Sequence, residues 1–238
     1  MRALALINPG ITELWAARLE EAERHLEQGV ALARRIARPY LEFSGLAHQA
    51  ALEIYRSLAR PAERSRQAVE LAERHGWTDE PAAGVAYMTL ANVLAWQGRL
   101  EDAEGWMQRA ERTVRADADP AAALSVYYVR GLLELARGRD AAALAAFRAA
   151  ERLAGLLAAP HLLVVRMRAL LLHALVRMGE LERAERTFAS LGGQARERDA
   201  GRSGLPPAGA YGAIGSRCWL APAAVTSPGH NKRLGLPR

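Results

Sequence analysis

A set of small and large apolar residues recurs along this chain about every 40 residues, and this period constrains the fold more than any other feature. The best-formed copy lies within Gly131–Ala150, where Gly138, Ala143 and Phe147 stand at fixed offsets. The central small residue of successive copies falls at positions 22, 65, 103, 143 and 184. Self-similarity at a period of roughly 20 to 50 residues is the signature of a repeat architecture.

Prolines supply a second signal with nearly the same period. They stand between successive copies, at Pro39, Pro81, Pro120 and Pro160. Proline disfavours helix in the residue before it but is tolerated in the first turn of a helix. Each of these prolines is therefore predicted to separate one unit from the next and to begin a helix.

Each unit is typical of a helical hairpin. Pro120–Ala136 is strongly apolar and has no internal proline, Gly138 is suited to end that helix, and Asp140 is suited to start the next. One hairpin alone leaves an apolar face uncovered, and stacked neighbours cover it. We therefore predict an all-α fold in which about five hairpins stack into a right-handed superhelix over residues 1–192.

The repeating positions are predicted to pack the hairpins together, with small residues admitting close backbones and large ones filling the space beside them. A weaker copy is Ser65, Val69 and Ala72, and Pro9 is expected to bend or fray the first helix. The predicted packing residues are Ala22, Leu26, Gly98, Ala103, Met107, Ala110, Gly131, Gly138, Ala143, Phe147, Ala150, Gly179, Ala184 and Phe188.

The spacing resembles that of the tetratricopeptide repeat. Gly131, Ala143, Phe147 and Ala150 match the family pattern, whereas Glu134 stands where the family has an aromatic residue. The step of about 40 residues also exceeds the family's usual step of about 34, so longer helices are expected.

This longer repeat is similar to the helical-repeat region of MalT-like regulators of the LuxR family. The segments that carry the resemblance are Glu13–Glu27, Ala72–Trp77 and Ala95–Glu104, and the likeness covers about residues 3–192. It implies a segment that binds an inducer or a partner and biases assembly of a whole regulator. The ATPase and helix-turn-helix modules that flank such repeats are not recognisable. A P-loop needs a lysine, and the sole lysine is Lys232.

The charge distribution argues against direct binding of nucleic acid. The net charge is +6, but residues 201–238 contain five basic residues and no acidic one, which leaves about +1 for the rest. Interleaved charges there are typical of solvated helix faces. Residues 193–238 are predicted to be a Gly/Pro-rich, disordered tail. A shifted reading frame or a truncated junction is one hypothesis for it, and a natural flexible tail is the other.

Composition also argues against catalytic, metal and cofactor sites. No histidine pair has metal-ligand spacing, and Cys218 has no evident base beside it. A single cysteine, no long apolar run and no signal peptide together predict a cytoplasmic protein without a membrane span. Because the chain starts inside a hairpin without a capping repeat, we expect a fragment of a longer protein.

The predicted function is non-enzymatic recognition. The leading interpretation is the effector-sensing or partner-binding segment of a MalT-like regulator, and the alternative is a separate scaffold that binds a peptide or a partner helix. Partners would be a protein, a small-molecule effector or another copy of the repeats. The inner-face candidates are Asn92, Tyr128, His173 and Arg177, with Met88 and Leu132 beside them. Ordinary packing remains the alternative for each, and packing or sugar stacking for Trp15, Trp96 and Trp106.

Overall fold

The computed structural model describes residues 1–54, 60–158 and 161–200, with side chains for residues 1–54, 61–158 and 161–190. Within these ranges the secondary structure is ten helices without a strand, which confirms the all-α prediction. The helices are α1 (Arg2–Trp15), α2 (Leu19–Arg35), α3 (Pro39–Glu53), α4 (Arg60–His75), α5 (Pro81–Trp96), α6 (Leu100–Thr113), α7 (Pro120–Ala136), α8 (Asp140–Ala154), α9 (Val164–Arg177) and α10 (Leu181–Ala200).

Consecutive helices pack as hairpins, and the hairpins stack. α1 contacts α2, α3 contacts α4, α5 contacts α6, and α7 contacts α8. The first helices α1, α3, α5 and α7 also contact one another in order, and α2, α4, α6 and α8 each contact the helix that follows. This order gives a helical-repeat arrangement, whereas the handedness of a superhelix stays a prediction.

Residues Met1–Leu191 form one compact unit, and Gly192–Arg238 group separately. α10 continues to Ala200, beyond the boundary at residue 192 that the sequence predicts. Residues 194–200 contain neither glycine nor proline, so nothing local interrupts the helix there. The rest of the predicted tail lies outside the described residues. None of the described helices is long and apolar enough to cross a membrane.

Prolines begin the first helices of three hairpins, as predicted. Pro39, Pro81 and Pro120 lie in the first turns of α3, α5 and α7, and Pro160 lies outside the described residues. Asp119 caps α7, because its Oδ1 accepts a hydrogen bond of 2.9 Å from the Ala122 amide. α1 remains a continuous helix through the exposed Pro9.

Burial differs between the two helices of a hairpin. α2, α4 and α6 each bury one stripe, whereas α5 is buried at every position from Ala82 to Leu94. α5 contacts helices of its own hairpin and of both neighbouring hairpins, namely α3, α4, α6 and α7. A helix covered on all sides is apolar all round, which explains the uniform hydrophobicity of its sequence.

Most predicted packing residues are buried at the interface between the two helices of a hairpin. Gly131 shows why a small residue is needed, because a Cβ atom there would lie 2.3 Å from Cε1 of Phe147. A Cβ atom on Gly10 would lie 2.8 Å from Cγ of Leu26 in the same way. The buried set is Ala22, Leu26, Ala103, Met107, Ala110, Gly131, Ala143, Phe147, Ala150 and Ala184.

Phe188 is the exception, since it is 68% exposed and does not fill the fifth hairpin. In three other hairpins a small residue of the first helix stands 16 positions before the large packing residue of the second helix. These pairs are Gly10 and Leu26, Ala91 and Met107, and Gly131 and Phe147. Leu172 stands at that position in the fifth hairpin and packs against the core itself. The fifth hairpin therefore lacks the small residue that stands beside the large one in these three hairpins, and Phe188 is exposed.

Three predicted packing glycines instead form turns, and for Gly138 this confirms the prediction that it ends the first helix of its hairpin. Gly98, Gly138 and Gly179 follow the first helices of their hairpins with φ of +75°, +72° and +76°, and a Cβ atom on any of them would meet nothing within 4 Å. Their role is conformational, because this left-handed region favours glycine. Ala17 and Ala37 adopt the same conformation, with φ of +64° and +51°.

Candidate binding groove between α4 and α6

Two of the four predicted inner-face residues are buried, contrary to the expectation that they are exposed. Asn92 is 4% exposed and Tyr128 is 3% exposed, because neighbouring hairpins cover the first helices that carry them. Burial raises the pKa of Tyr128 to about 12. Its ring lies 6.4 Å from that of Phe147, between centroids, so Tyr128 packs within its own hairpin. Neither residue offers a surface to a ligand in this conformation.

The other two inner-face candidates, His173 and Arg177, are exposed on α9. Arg177 bridges two helices, because its Nε lies 3.0 Å from Oδ1 of Asp140 at the start of α8. Among the described residues, no hydrogen bond or ion pair connects either side chain with Asn92 or Tyr128. The four candidates therefore do not form one site, and binding by His173 and Arg177 stays a prediction.

A groove of about 490 Å³ lies between α4 and α6 and crosses the second half of α5. Its floor is apolar and comes from Leu90, Val93 and Leu94, all of them buried. Its rim is polar and aromatic, with contributions from α4, from the turn after α5 and from α6. The rim residues are Arg66, Gln97, Arg99, Glu101, Asp102, Gly105, Trp106 and Arg109.

Most charges around this α4–α6 groove are already paired. Nη2 of Arg99 lies 2.7 Å from Oδ2 of Asp102, and Glu101 is 3.2 Å from Arg137 of α7. Arg109 instead lies over an aromatic face, with its guanidinium carbon 4.9 Å from the ring centroid of Trp106 and 5.8 Å from that of Tyr87. Such stacking leaves the cation available to an anion.

One residue of the groove lining is Gly105. A Cβ atom there would meet no other atom within 4 Å, so a larger side chain can be placed at this position of the lining. Trp106 beside it is partly buried, whereas Trp15 is 8% exposed and Trp96 is 38% exposed. Trp106 is partly buried and lines the α4–α6 groove.

A second groove, of about 430 Å³, lies between α2 and α4. Its arginines are engaged, since Nε of Arg34 lies 2.6 Å from Oε1 of Glu42 and Nε of Arg64 lies 2.8 Å from Oε1 of Glu53. Both arginines are therefore already paired with carboxylates, and the α4–α6 groove, where Arg109 is stacked instead, is the better candidate.

An ion-pair network fixes the back of α6 against α7. Arg130 of α7 lies 2.7 Å from Glu104 and 2.7 Å from Glu111, and Arg137 donates a further hydrogen bond to Glu104. The hydrogen bond from Arg130 is the main cause that lowers the pKa of Glu104 to about 2. The network positions the wall that carries Trp106 and Arg109. No spacing in the sequence indicates it, because its members lie on different helices.

The described residues contain no group of three or more His, Cys, Asp or Glu side chains that could hold a metal ion. What the groove offers is an apolar floor, a stacked arginine and hydrogen-bonding groups. This combination can hold a ligand by burial and by charge pairing.

No protein-family model matches the chain, and a comparison with curated proteins finds no match. The order of the helices defines a protein of the helical-repeat class. Among solved structures the chain is similar to BtubC (BKLC) from P. vanneervenii, with a TM-score of 0.59 and 18% identity. The match covers 80% of this chain and 78% of that one. At this identity the likeness shows the fold alone.

Proposed function

We propose that this chain is a non-enzymatic binding module that holds a segment of a partner protein in the α4–α6 groove. The observation that supports this proposal is the apolar floor of Leu90, Val93 and Leu94. Beside it, Arg109 is stacked on Trp106 and has no carboxylate partner among the described residues. Helical repeats commonly present such grooves to partner segments, which dock an apolar face and place polar groups at the rim.

The chemistry of the groove specifies the kind of segment. An apolar side chain removes the floor from water, which stabilises the complex by about 25 cal/mol for each Å² of apolar surface buried. A carboxylate placed next to that side chain can accept two hydrogen bonds from the guanidinium of Arg109. The proposed ligand is therefore a helix or an extended segment with leucine-like residues flanked by acidic ones.

Fluorescence anisotropy of the full chain tests this proposal. The probe is a dye-labelled amphipathic peptide with a leucine face flanked by glutamates, compared with the same peptide carrying glutamine instead. We expect Gly105→Trp, which fills the open rim, to weaken binding about tenfold or more. Gly105→Ala is the matched control and should bind as the wild type does. Arg109→Gln should weaken only the glutamate peptide, by about 1 to 3 kcal/mol.

Equal binding of both peptides to the wild type and to Gly105→Trp would locate the interaction elsewhere. No measurable binding of the glutamate peptide would reject the proposed ligand class. Because Gly105 is exposed, its substitutions should leave the fold intact. Circular dichroism of each variant checks this.

A second candidate function is the repeat segment of a MalT-like, LuxR-family regulator, in which the groove would receive an effector or a neighbouring module. The long repeat period and the segments Glu13–Glu27, Ala72–Trp77 and Ala95–Glu104 favour it. The neighbouring coding DNA tests this interpretation. An ATPase module directly upstream and a helix-turn-helix downstream are expected, and their absence would favour a separate scaffold. Under either function we propose a cytoplasmic location.

A further inference from the structure

The segment His161–Leu163, which leads into α9, contacts the first helix of the chain. The imidazole of His161 stacks on Trp15 at the end of α1, with ring centroids 5.4 Å apart and planes inclined by 18°. The Leu162 amide donates a hydrogen bond of 3.1 Å to the carbonyl of Trp15. His48 of α3 meets the same indole edge-on at 6.1 Å.

This contact departs from the usual pattern of a repeat array, in which each unit contacts only its neighbours. Here the lead-in to the fifth hairpin contacts the first hairpin, at the indole against which His48 of the second hairpin also packs. His161 also reaches the fourth, because its Nε2 lies 3.4 Å from Oγ of Ser125 on α7. His161 and His48 are each 5% exposed, so four hairpins meet at a buried cluster of Trp15, His48, Ser125 and His161.

The hydrogen bonds fix the protonation state of His161. Its Nδ1 accepts the amide hydrogen of Leu163 at 3.2 Å, so the neutral ring carries its proton on Nε2. That proton faces Ser125 and the carbonyl of Ala121. A second proton would occupy Nδ1 and would point at the Leu163 amide hydrogen, which breaks this hydrogen bond next to the start of α9.

No nearby carboxylate stabilises the charged ring. Among the described residues neither nitrogen of His161 has a carboxylate partner. Glu13 of α1 is held by His25 of α2 at 2.6 Å, and Asp119 of α7 acts on His48 rather than on His161. Burial lowers the pKa of His161 to about 4 and also lowers that of His48.

We propose that the His161–Leu163 segment is a pH-sensitive latch, which closes the array when His161 is neutral and releases Trp15 when His161 is protonated. Release would expose the inner side of the first helices around Trp15, His48 and Ser125. The proposal is independent of the α4–α6 groove, because none of these cluster residues lines that groove.

The sign of the pH effect follows from the lowered pKa. The ordinary pKa of histidine is 6.5 and that of latched His161 is about 4, so the open form binds protons more readily. The closed form is most favoured above pH 6.5 and weakens as pH falls towards 4. The ratio of open to closed molecules should rise about 50- to 100-fold between pH 7.5 and 4.5.

Spin-label distance measurements on the full chain test the latch. Labels are attached at Arg18→Cys and Val165→Cys, both at exposed positions, in a Cys218→Ser background. We expect a longer distance to appear at pH 4.5 and to vanish again at pH 7.5. His161→Phe keeps an aromatic ring against Trp15 but cannot be protonated. Only His48 can then take up a proton in the cluster, so the distance in this variant should change with pH much less than in the wild type.

His161→Ala should show the longer distance already at pH 7.5, and His173→Phe, at an exposed histidine, should behave as the wild type does. The latch is refuted if the distance does not depend on pH, or if His161→Phe opens in acid like the wild type. It is also refuted if the helical signal in circular dichroism is lost together with the short distance, since this would indicate unfolding rather than release.

Discussion

Replacing Ala17 by glycine should stabilise this protein, although the same change within a helix destabilises. Ala17 has a φ of +64°, and its amide donates to Leu14 while the next amide donates to Glu13. The turn at Gly98 has the same pair of bonds, from Gly98 to Ala95 and from the next amide to Leu94. Ala17 thus occupies a glycine turn without the conformational freedom of glycine.

The magnitude follows from two opposing contributions. The left-handed conformation costs an alanine about 1–2 kcal/mol, whereas glycine loses about 0.4–1 kcal/mol more in conformational entropy on folding. The net gain expected for Ala17→Gly is therefore about 0.5–1 kcal/mol in the free energy of unfolding. Ala37→Gly should give a similar gain because its φ is +51°. Together they should raise Tm by about 2–8 °C.

Urea and thermal unfolding of the full chain, followed by circular dichroism, measure these changes. Ala145→Gly is the matched control, since Ala145 is exposed within α8 and should lose about 1 kcal/mol. Gly138→Ala should lose about 1 kcal/mol without any steric clash, because a Cβ atom there meets nothing. If Ala17→Gly destabilises as much as Ala145→Gly does, the left-handed conformation does not cost what this reasoning requires.

Two further predictions concern packing and charge. Gly131→Ala should lower the free energy of unfolding, measured in urea, by about 1–3 kcal/mol, because its Cβ atom would overlap the Phe147 ring. Phe188→Ala should change that free energy by less than about 0.5 kcal/mol, because Phe188 is exposed. Acid should weaken the contact of α6 with α7. The folded pKa of Glu104 is about 2, below its usual 4.5, so its contribution is full above pH 4.5 and is lost as pH falls towards 2. Glu104→Gln should therefore flatten the fall of the urea midpoint below pH 4.5, and an unchanged slope would assign that fall to other groups.

The repeating elements could be predicted because their causes are local. Proline starts and glycine turns depend on the backbone of a few adjacent residues, so Pro39, Pro81 and Pro120 mark helix starts wherever the hairpins lie. Small and large residues at a fixed spacing likewise identify the face on which two adjacent helices meet. Gly131 and Phe147 are such a pair within one hairpin.

The candidate sites could not be predicted in this way. The repeat period does not tell whether Asn92 and Tyr128 lie on an open concave surface or in the core. In the structure the neighbouring hairpins bury both residues. The pairing of Arg130 with Glu104 joins helices of different hairpins. Phe188 matches its repeat position, yet it is exposed, and Leu172 stands where other hairpins have a small residue.

Sequence alone therefore determined the helices, their turns and their period, since these depend on the conformational preferences of neighbouring residues. The tertiary structure decided which faces meet water, where Arg109 lies over Trp106, and that His161 lies against Trp15. Those contacts join residues far apart in the chain. They depend on how five hairpins stack, because a side chain's surroundings are set by the neighbours that stacking brings to it.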